Sequence, residues 1–246
     1  MTTTLIMPRI PGAVDYDSFR RGGCATTIAG LAAIAALSLW PPRFALAWGT
    51  DDQVMADEIA EMLAIKPGST VVDIGAGNGR MAMRMADKVG PGGRVFATEI
   101  DPVRIEQIGK RIHDAGIANV IVVKATPTDS GLPPDCCDAA YMIGVYHHIT
   151  DPVWTDASIF RALKPGARLL IDDFPPTIWL ALFKVKGVPA NRGGHGVPDS
   201  IVANELGAAG FHKVAETRPW HPGFFIRDNY CLLFSKPQSS ASAPQG

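Results

Sequence analysis

Short runs of β-branched and apolar residues alternate along this chain with longer segments whose apolar positions recur every three or four residues. Val71-Val72 forms one such run and Arg94 to Glu99 the next, and both read as strands. Ahead of them, Thr50 or Asp51 can cap a helix that carries Val54, Met55, Ile59, Met62 and Leu63 on one face; Lys66-Pro67-Gly68 ends it. Asp101-Pro102 opens another helix, with a capping acid and a proline at the first position. Ile105, Ile108 and Ile112 line its inner face and Gly116 closes it. The same Asp-Pro device recurs at Asp151-Pro152, opening a helix expected to end at Lys164-Pro165-Gly166. A further helix starts near Asp199 and ends at Gly207 to Gly210. Phe211 to Glu216 and Asn229 to Ser235 follow with only a loop between them, which predicts an antiparallel pair. Strands alternating with helices and closing on such a pair predict an α/β fold with a mostly parallel sheet.

The densest chemistry lies where the first strand ends. Asp73 closes the strand, and Gly75, Gly77 and Gly79 turn the chain into a helix beginning near Arg80. Glycines serve a sharp reversal and let a ligand lie against bare backbone, while the new helix N-terminus favours a negative ligand group. Glu99 ends the second strand twenty residues after Gly79, where a carboxylate can hydrogen-bond a ribose diol. These features predict a nucleoside-containing cofactor. The spacing is G-x-G-x-G rather than the dinucleotide G-x-G-x-x-G, and Arg80 stands where Gly or Ala would be expected. Asp73 would repel a pyrophosphate and attract an ammonium. Both details favour S-adenosylmethionine, whose methionine part carries an ammonium and a carboxylate.

On these residues the chain, from about Val54 to Lys236, resembles the class I S-adenosylmethionine-dependent methyltransferases. Asn119 to Lys124 looks like that family's third strand and Leu132 to Tyr141 like its approach to the fourth. Val145 to Pro152 resembles the loop after strand four, and Leu163 to Asp172 the turn into strand five. The resemblance implies a doubly wound, Rossmann-like fold with a seven-stranded sheet and one antiparallel strand near the C-terminus. It implies cofactor contacts from Asp73, Gly75, Ala76, Gly77, Gly79, Glu99, Ile100 and Gly144. Where the family usually has an acid after strand three to read the adenine amino group, this chain has Ala125-Thr126-Pro127-Thr128. That contact is therefore expected from Asp129 or from a backbone group.

Methyl transfer is an in-line displacement at an already activated carbon, so the protein orients a nucleophile, excludes water and in some cases removes a proton. Tyr146, His147 and His148 follow strand four, beside the expected position of the methyl group, and a histidine there suits a general base. His147 and Tyr146 are the candidates, with His195 reaching the same pocket, whereas His148 reads better as packing or capping. No ligand-spacing motif supports a metal site from His147, His148 and His195. The stretch from Phe174 to Pro198 is the longest without a clear element. It reads equally as a substrate lid or as a packed helix with a plain loop, with membrane contact through Trp179 and Phe183 as a third reading.

A chain of 246 residues with 47% hydrophobic content can bury one sizeable α/β domain. A formal charge of −1 and the lack of any Lys/Arg cluster argue against nucleic acid and for a small-molecule partner. Arg20-Arg21, the apolar run Gly22 to Trp40 and Ala45-Leu46-Ala47 stand in the order of a secretory signal peptide. Residues 1–47 are thus expected as a signal sequence directing a periplasmic or secreted product, with an uncleaved inner-membrane anchor or a mis-chosen start codon as alternatives. Residues 48–237 form the catalytic domain and 238–246 a disordered tail. Cys137 and Cys231 read as buried small hydrophobes, while the adjacent thiols Cys136-Cys137 could also bind a soft metal or arsenic. A non-catalytic binding protein of the same fold is the alternative function; the intact Asp73, Gly75, Gly77 and Glu99 favour an enzyme.

Overall fold

In the computed structural model the chain divides into units of residues 1–45 and 46–246. The described residues are 43–177, 185–192, 194–221 and 228–238, with side chains from residue 52 onward. The run Gly22 to Trp40, Trp179, Phe183 and the expected C-terminal tail beyond Lys236-Pro237-Gln238 lie outside them. Among the described residues no helix is long and apolar enough to cross a membrane.

The second unit is built on strands β1 (Thr70–Ile74), β2 (Arg94–Glu99), β3 (Val120–Lys124), β4 (Cys137–Ile143), β5 (Leu163–Asp173), β6 (His212–Thr217) and β7 (Tyr230–Ser235). They form a seven-stranded sheet in the order β3-β2-β1-β4-β5-β7-β6. β1 to β5 pair in parallel, and β7 runs antiparallel to both β5 and β6. The helices are α1 (Arg43–Met62), α2 (Arg80–Val89), α3 (Pro102–Asp114), α4 (Pro152–Ala162) and α5 (Asp199–Ala208).

Both faces of the central strands are covered, so those strands read as continuous apolar runs and their period of two sends alternate residues to different cores, whereas edge strand β6 is exposed along its length. Val72, Ala140, Met142, Leu169 and Ile171 pack with Ile159 of α4 and Val202 and Leu206 of α5. Val71, Ala139, Tyr141 and Leu170 pack on the other face with Ile59 of α1, Met85 and Val89 of α2 and Ile108 of α3. The Asp-Pro devices act as expected. Asp101 accepts a hydrogen bond from Val103 N at 2.8 Å, and Asp151 accepts one from Trp154 N at 3.4 Å.

Three expectations about the helices are corrected. The first helix begins at Arg43, directly after Pro41-Pro42, so Thr50 and Asp51 lie inside it, as do Ala45-Leu46-Ala47. Val54 is 49% exposed, and Ala56 takes its place with Ile59 and Leu63 on the buried face. α4 stops at Ala162 rather than at Lys164-Pro165-Gly166. Pro165 disfavours helical backbone at the residue before it, and Leu163 instead pairs with Cys137 as β5 begins.

This topology fixes where a site can form. β1 and β4 lie side by side at the switch in strand order, where the chain leaves their carboxyl ends in opposite directions and opens a crevice. The glycine loop leaves β1 there, Gly144 to His148 leave β4, and Glu99 and Asp173 end β2 and β5.

Candidate active site

The loop from β1 to α2 is held by its glycines. Gly75 has φ +71°, and a Cβ there would lie 2.7 Å from Val145 Cγ1, so the two central-strand loops touch across this residue. At Gly79, φ +76°, a Cβ would come within 2.9 Å of Ile108 on α3. Gly77 differs: with φ +58°, an added Cβ would meet nothing nearer than 3.9 Å, and the residue faces open space. Its amide donates to Glu99 Oε2 at 3.0 Å, while Ile100 N and Asp101 N donate to Oε1 at 2.8 and 3.1 Å. Glu99 therefore braces both the glycine loop and the start of α3. A carboxylate offers about four lone-pair directions, so one remains for a ribose hydroxyl.

Two cavities flank this loop. One, of about 580 Å³, is lined by Asp73, Gly75, Ala76, Gly77, Asn78 and Arg80, together with Asp52 and Met55 of α1. The other, of about 570 Å³, is lined by Glu99, Ile100, Thr126, Gly144, Val145 and His148, among others. Asp73 is 3% exposed and its Oδ2 lacks a hydrogen-bond partner. Burial, with the Glu99 charge adding to it, pushes its carboxyl up to about 7; Tyr141 and the Ala82 amide offset part of this. A cationic group would give that oxygen a partner and restore its charge. The unpartnered acid, the bare Cα of Gly77 and the carboxylate of Glu99 thus fit an ammonium, an extended methionine chain and a ribose. These residues would hold S-adenosylmethionine.

Asp129, expected at the adenine edge, does not line either cavity. Its carboxylate accepts from Gly131 N at 2.8 Å and Arg161 Nη2 at 3.0 Å, which hold it below the usual carboxylate range. Ala125, Thr126, Pro127 and Ser130 line that edge instead.

The acceptor-side candidates also sort differently from their sequence reading. Tyr146 is fully buried away from the cavities. Its hydroxyl donates to Asp156 Oδ2 at 2.7 Å and also lies 3.1 Å from Glu205 Oε2, and Arg192 stacks over its ring at 5.1 Å. Burial and the Asp156 charge push the phenol far up, so this tyrosine belongs to a structural cluster. His148 is the histidine that lines the cavity; His147 and His195 pack beside it, with ring centroids 4.0 and 5.5 Å from its own. Burial and the neighbouring His147 and His195 push His148 down to about 4, so it stands neutral. His147 is 2% exposed, with Nδ1 2.8 Å from Asp173 Oδ1 and its amide donating to Asp173 Oδ2 at 3.0 Å. Asp173 escaped the sequence reading, although the acid pair Asp172-Asp173 at a strand's carboxyl end was the available signal. The thiols of Cys136, Cys137 and Cys231 are free, and burial pushes those of Cys137 and Cys231 far up.

Three buried acids give the protein a pH dependence. Burial raises Asp73 and Asp156 to about 7, and burial with the Asp173 charge raises Asp172 to about 8. Such groups bind more protons folded than unfolded between about 4 and these values, so stability falls as pH rises through that window. His148 acts oppositely, but only between about 4 and 6.5. From pH 6.5 to 8 the three carboxyls together should lower stability by on the order of 3 kcal/mol. Urea denaturation of the ligand-free protein at the two pH values checks this; equal or rising stability would refute it.

A family model described as a methyltransferase domain matches residues 71–166. The ubiquinone/menaquinone biosynthesis C-methyltransferase UbiE of Vibrio vulnificus (strain YJ016) is 30% identical over 160 residues, covering 64% of this chain and 60% of that protein. The chain thus spans less than two thirds of the length of that curated relative. Among solved structures, a SAM dependent methyltransferase from Aquifex aeolicus superposes with a TM-score of 0.60 at 21% identity, covering 74% of this chain and 89% of that one. The [4+2]-cyclase SpnF superposes with a TM-score of 0.61 at 17% identity, covering 76% and 82%. Fold likeness to proteins with such different names leaves the reaction to be argued from the site. The strand order and the likeness to solved structures show a Rossmann-like α/β fold, and residues 71–166, which carry the glycine loop, are similar to a methyltransferase domain.

Proposed function

We propose that this protein transfers a methyl group from S-adenosylmethionine to a small-molecule acceptor that enters beside the loop after β4. The observation that carries this reading is the joined Asp73, Gly77 and Glu99 cradle, with its donor-side and acceptor-side cavities meeting at Gly75 and Gly77. Asp73 takes the ammonium, the bare backbone of Gly77 admits the methionine chain, and Glu99 takes the ribose. Gly144 and His148 line the acceptor-side cavity, where an acceptor would meet the bound cofactor. The cofactor supplies an activated carbon; the chain's own work is to orient the acceptor and keep water out. His148 offers a neutral imidazole to the acceptor, with His147, set by Asp173, positioned behind it.

Calorimetry with S-adenosylhomocysteine tests the cradle. Glu99→Ala should weaken binding by about 1–3 kcal/mol, because the ribose loses charge-assisted hydrogen bonds and the Gly77 amide loses its acceptor. No heat with the unaltered protein, or equal affinity in the variant, would overturn the assignment.

The same reading includes export. Arg20-Arg21, the apolar run and Ala45-Leu46-Ala47 support cleavage after Ala47, leaving Trp48 first in an envelope compartment. N-terminal sequencing of protein from fractionated cells decides between this and a cytosolic product that retains Met1.

A further inference from the structure

We infer that His147, His148 and His195 form a binding site for a divalent transition-metal ion at the acceptor edge of the cavity. Each histidine offers one ring nitrogen, and these three nitrogens lie within 4.8 Å of one another. The residues are far apart or adjacent in sequence, so no spacing motif marks them. β4 delivers two and the segment after β5 the third.

Three features make the cluster a site rather than a stack of rings. First, Nε2 of His147 is buried and has no hydrogen-bond partner. A buried ring nitrogen in that state carries the full cost of its lost hydration unless something binds it. Second, its other nitrogen, Nδ1, sits 2.8 Å from the Asp173 carboxylate, which also accepts from the amides of His147 and Phe174. A carboxylate accepts a hydrogen bond from Nδ1–H, so the proton stays on Nδ1 and the lone pair is on Nε2, the tautomer that ligates metals in carboxylate–histidine–metal arrangements. Third, His148 opens onto the cavity that Glu99 and Gly144 line, which leaves the cluster an open side.

The donor set selects the ion. Three imidazoles suit zinc, cobalt, nickel or copper, and they lack the oxygens that calcium or magnesium need. Tetrahedral zinc with bonds of about 2.0–2.1 Å sets its nitrogens about 3.4 Å apart, so the cluster must draw in by about an ångström. His147 is anchored by Asp173, while His148 is exposed and His195 half-buried, so the adjustment falls on the two outer residues. Three protein ligands leave a coordination position for water or an acceptor oxygen, as in catalytic rather than structural zinc sites. An ion there would occupy the His147 lone pair and polarise an acceptor oxygen at the same edge. The site rests on the histidine geometry and goes beyond the proposed methyl transfer.

The test uses the full chain purified without a polyhistidine tag, stripped with a chelator and titrated with zinc against a chromophoric competitor. One zinc per chain should bind, and cobalt in its place should give visible bands of a nitrogen-ligated, low-symmetry site. His148→Ala and His195→Ala should each lower zinc affinity at least a hundredfold and the double variant should abolish binding. His113→Ala, at an exposed position on α3, should change nothing. S-adenosylhomocysteine binding by His195→Ala, measured in parallel, shows that the domain is intact. No saturable zinc binding, or zinc binding retained in the double variant, overturns the site. Zinc binding without S-adenosylhomocysteine binding would leave the metal site standing and refute the methyltransferase reading; the converse would do the opposite.

Discussion

Replacing Arg192 with methionine should lower the stability of the protein by about 3–5 kcal/mol, the range seen when one partner of a buried ion pair is removed. Arg192 is fully buried, yet it stands in the 3-10 turn Ala190–Arg192, outside the sheet and its helices. Its Nη2 lies 2.9 Å from Glu205 Oε2 on α5, and its guanidinium covers the Tyr146 ring. Tyr146 in turn donates to Asp156 on α4. One cation, in ion contact with Glu205 and over the Tyr146 ring, therefore lies where two helices, the turn after β4 and the segment after β5 meet. Methionine keeps most of the packing but leaves Glu205 and Asp156 facing each other without a positive charge, and Glu205 already raises Asp156. Urea denaturation at pH 8, where Asp156 is charged, reads the full loss. Adding Glu205→Gln to the variant should restore part of it, because the two changes share one interaction. A loss below about 1 kcal/mol would show that the pair contributes nothing net, as some buried pairs do.

That cluster also marks the limit of what the residues alone could say. The glycine loop, Glu99 and the Asp-Pro helix starts are legible because each is set by neighbours a few residues away: a turn needs glycine, and a first turn needs a cap and tolerates proline. The antiparallel ending was legible because a short connection between two strands permits little else. Arg192, Glu205 and Asp156 meet from three separate segments, and each alone reads as a surface charge. Tyr146 and His148 show the same limit at finer scale. Both follow β4, but the turn Tyr146–His148 sends the tyrosine into the core and the second histidine toward the cavity. Sequence order could bring them to the site; only the turn decided which one entered it. Asp129 was misplaced for a similar reason, since Arg161, thirty-two residues later, holds its carboxylate away from the cavity.

His147→Ala should lower methyl transfer by on the order of a hundredfold, the cost of misplacing the groups that orient the acceptor. His147 does not line the cavity; it fixes what does. Asp173 locks its ring, its centroid lies 4.0 Å from that of His148 and 4.7 Å from that of His195, and removing it would leave both neighbours without a wall. The loss should therefore appear in kcat, with S-adenosylhomocysteine affinity within about threefold of the unaltered protein, because the cofactor cradle is built from β1 and β2. Asp173→Asn should keep the ring in place but weaken its hold on the Nδ1 proton, giving a smaller loss and a shifted pH profile that a purely structural role would not produce. Gly77→Val should do the reverse of His147→Ala, abolishing cofactor binding, since its side chain would project into the space that Gly77 leaves open. Transfer from methyl-labelled S-adenosylmethionine into a small-molecule extract of the source cells supplies the assay. Full transfer by His147→Ala would show that the acceptor binds elsewhere, and the glycine-loop assignment would stand without it.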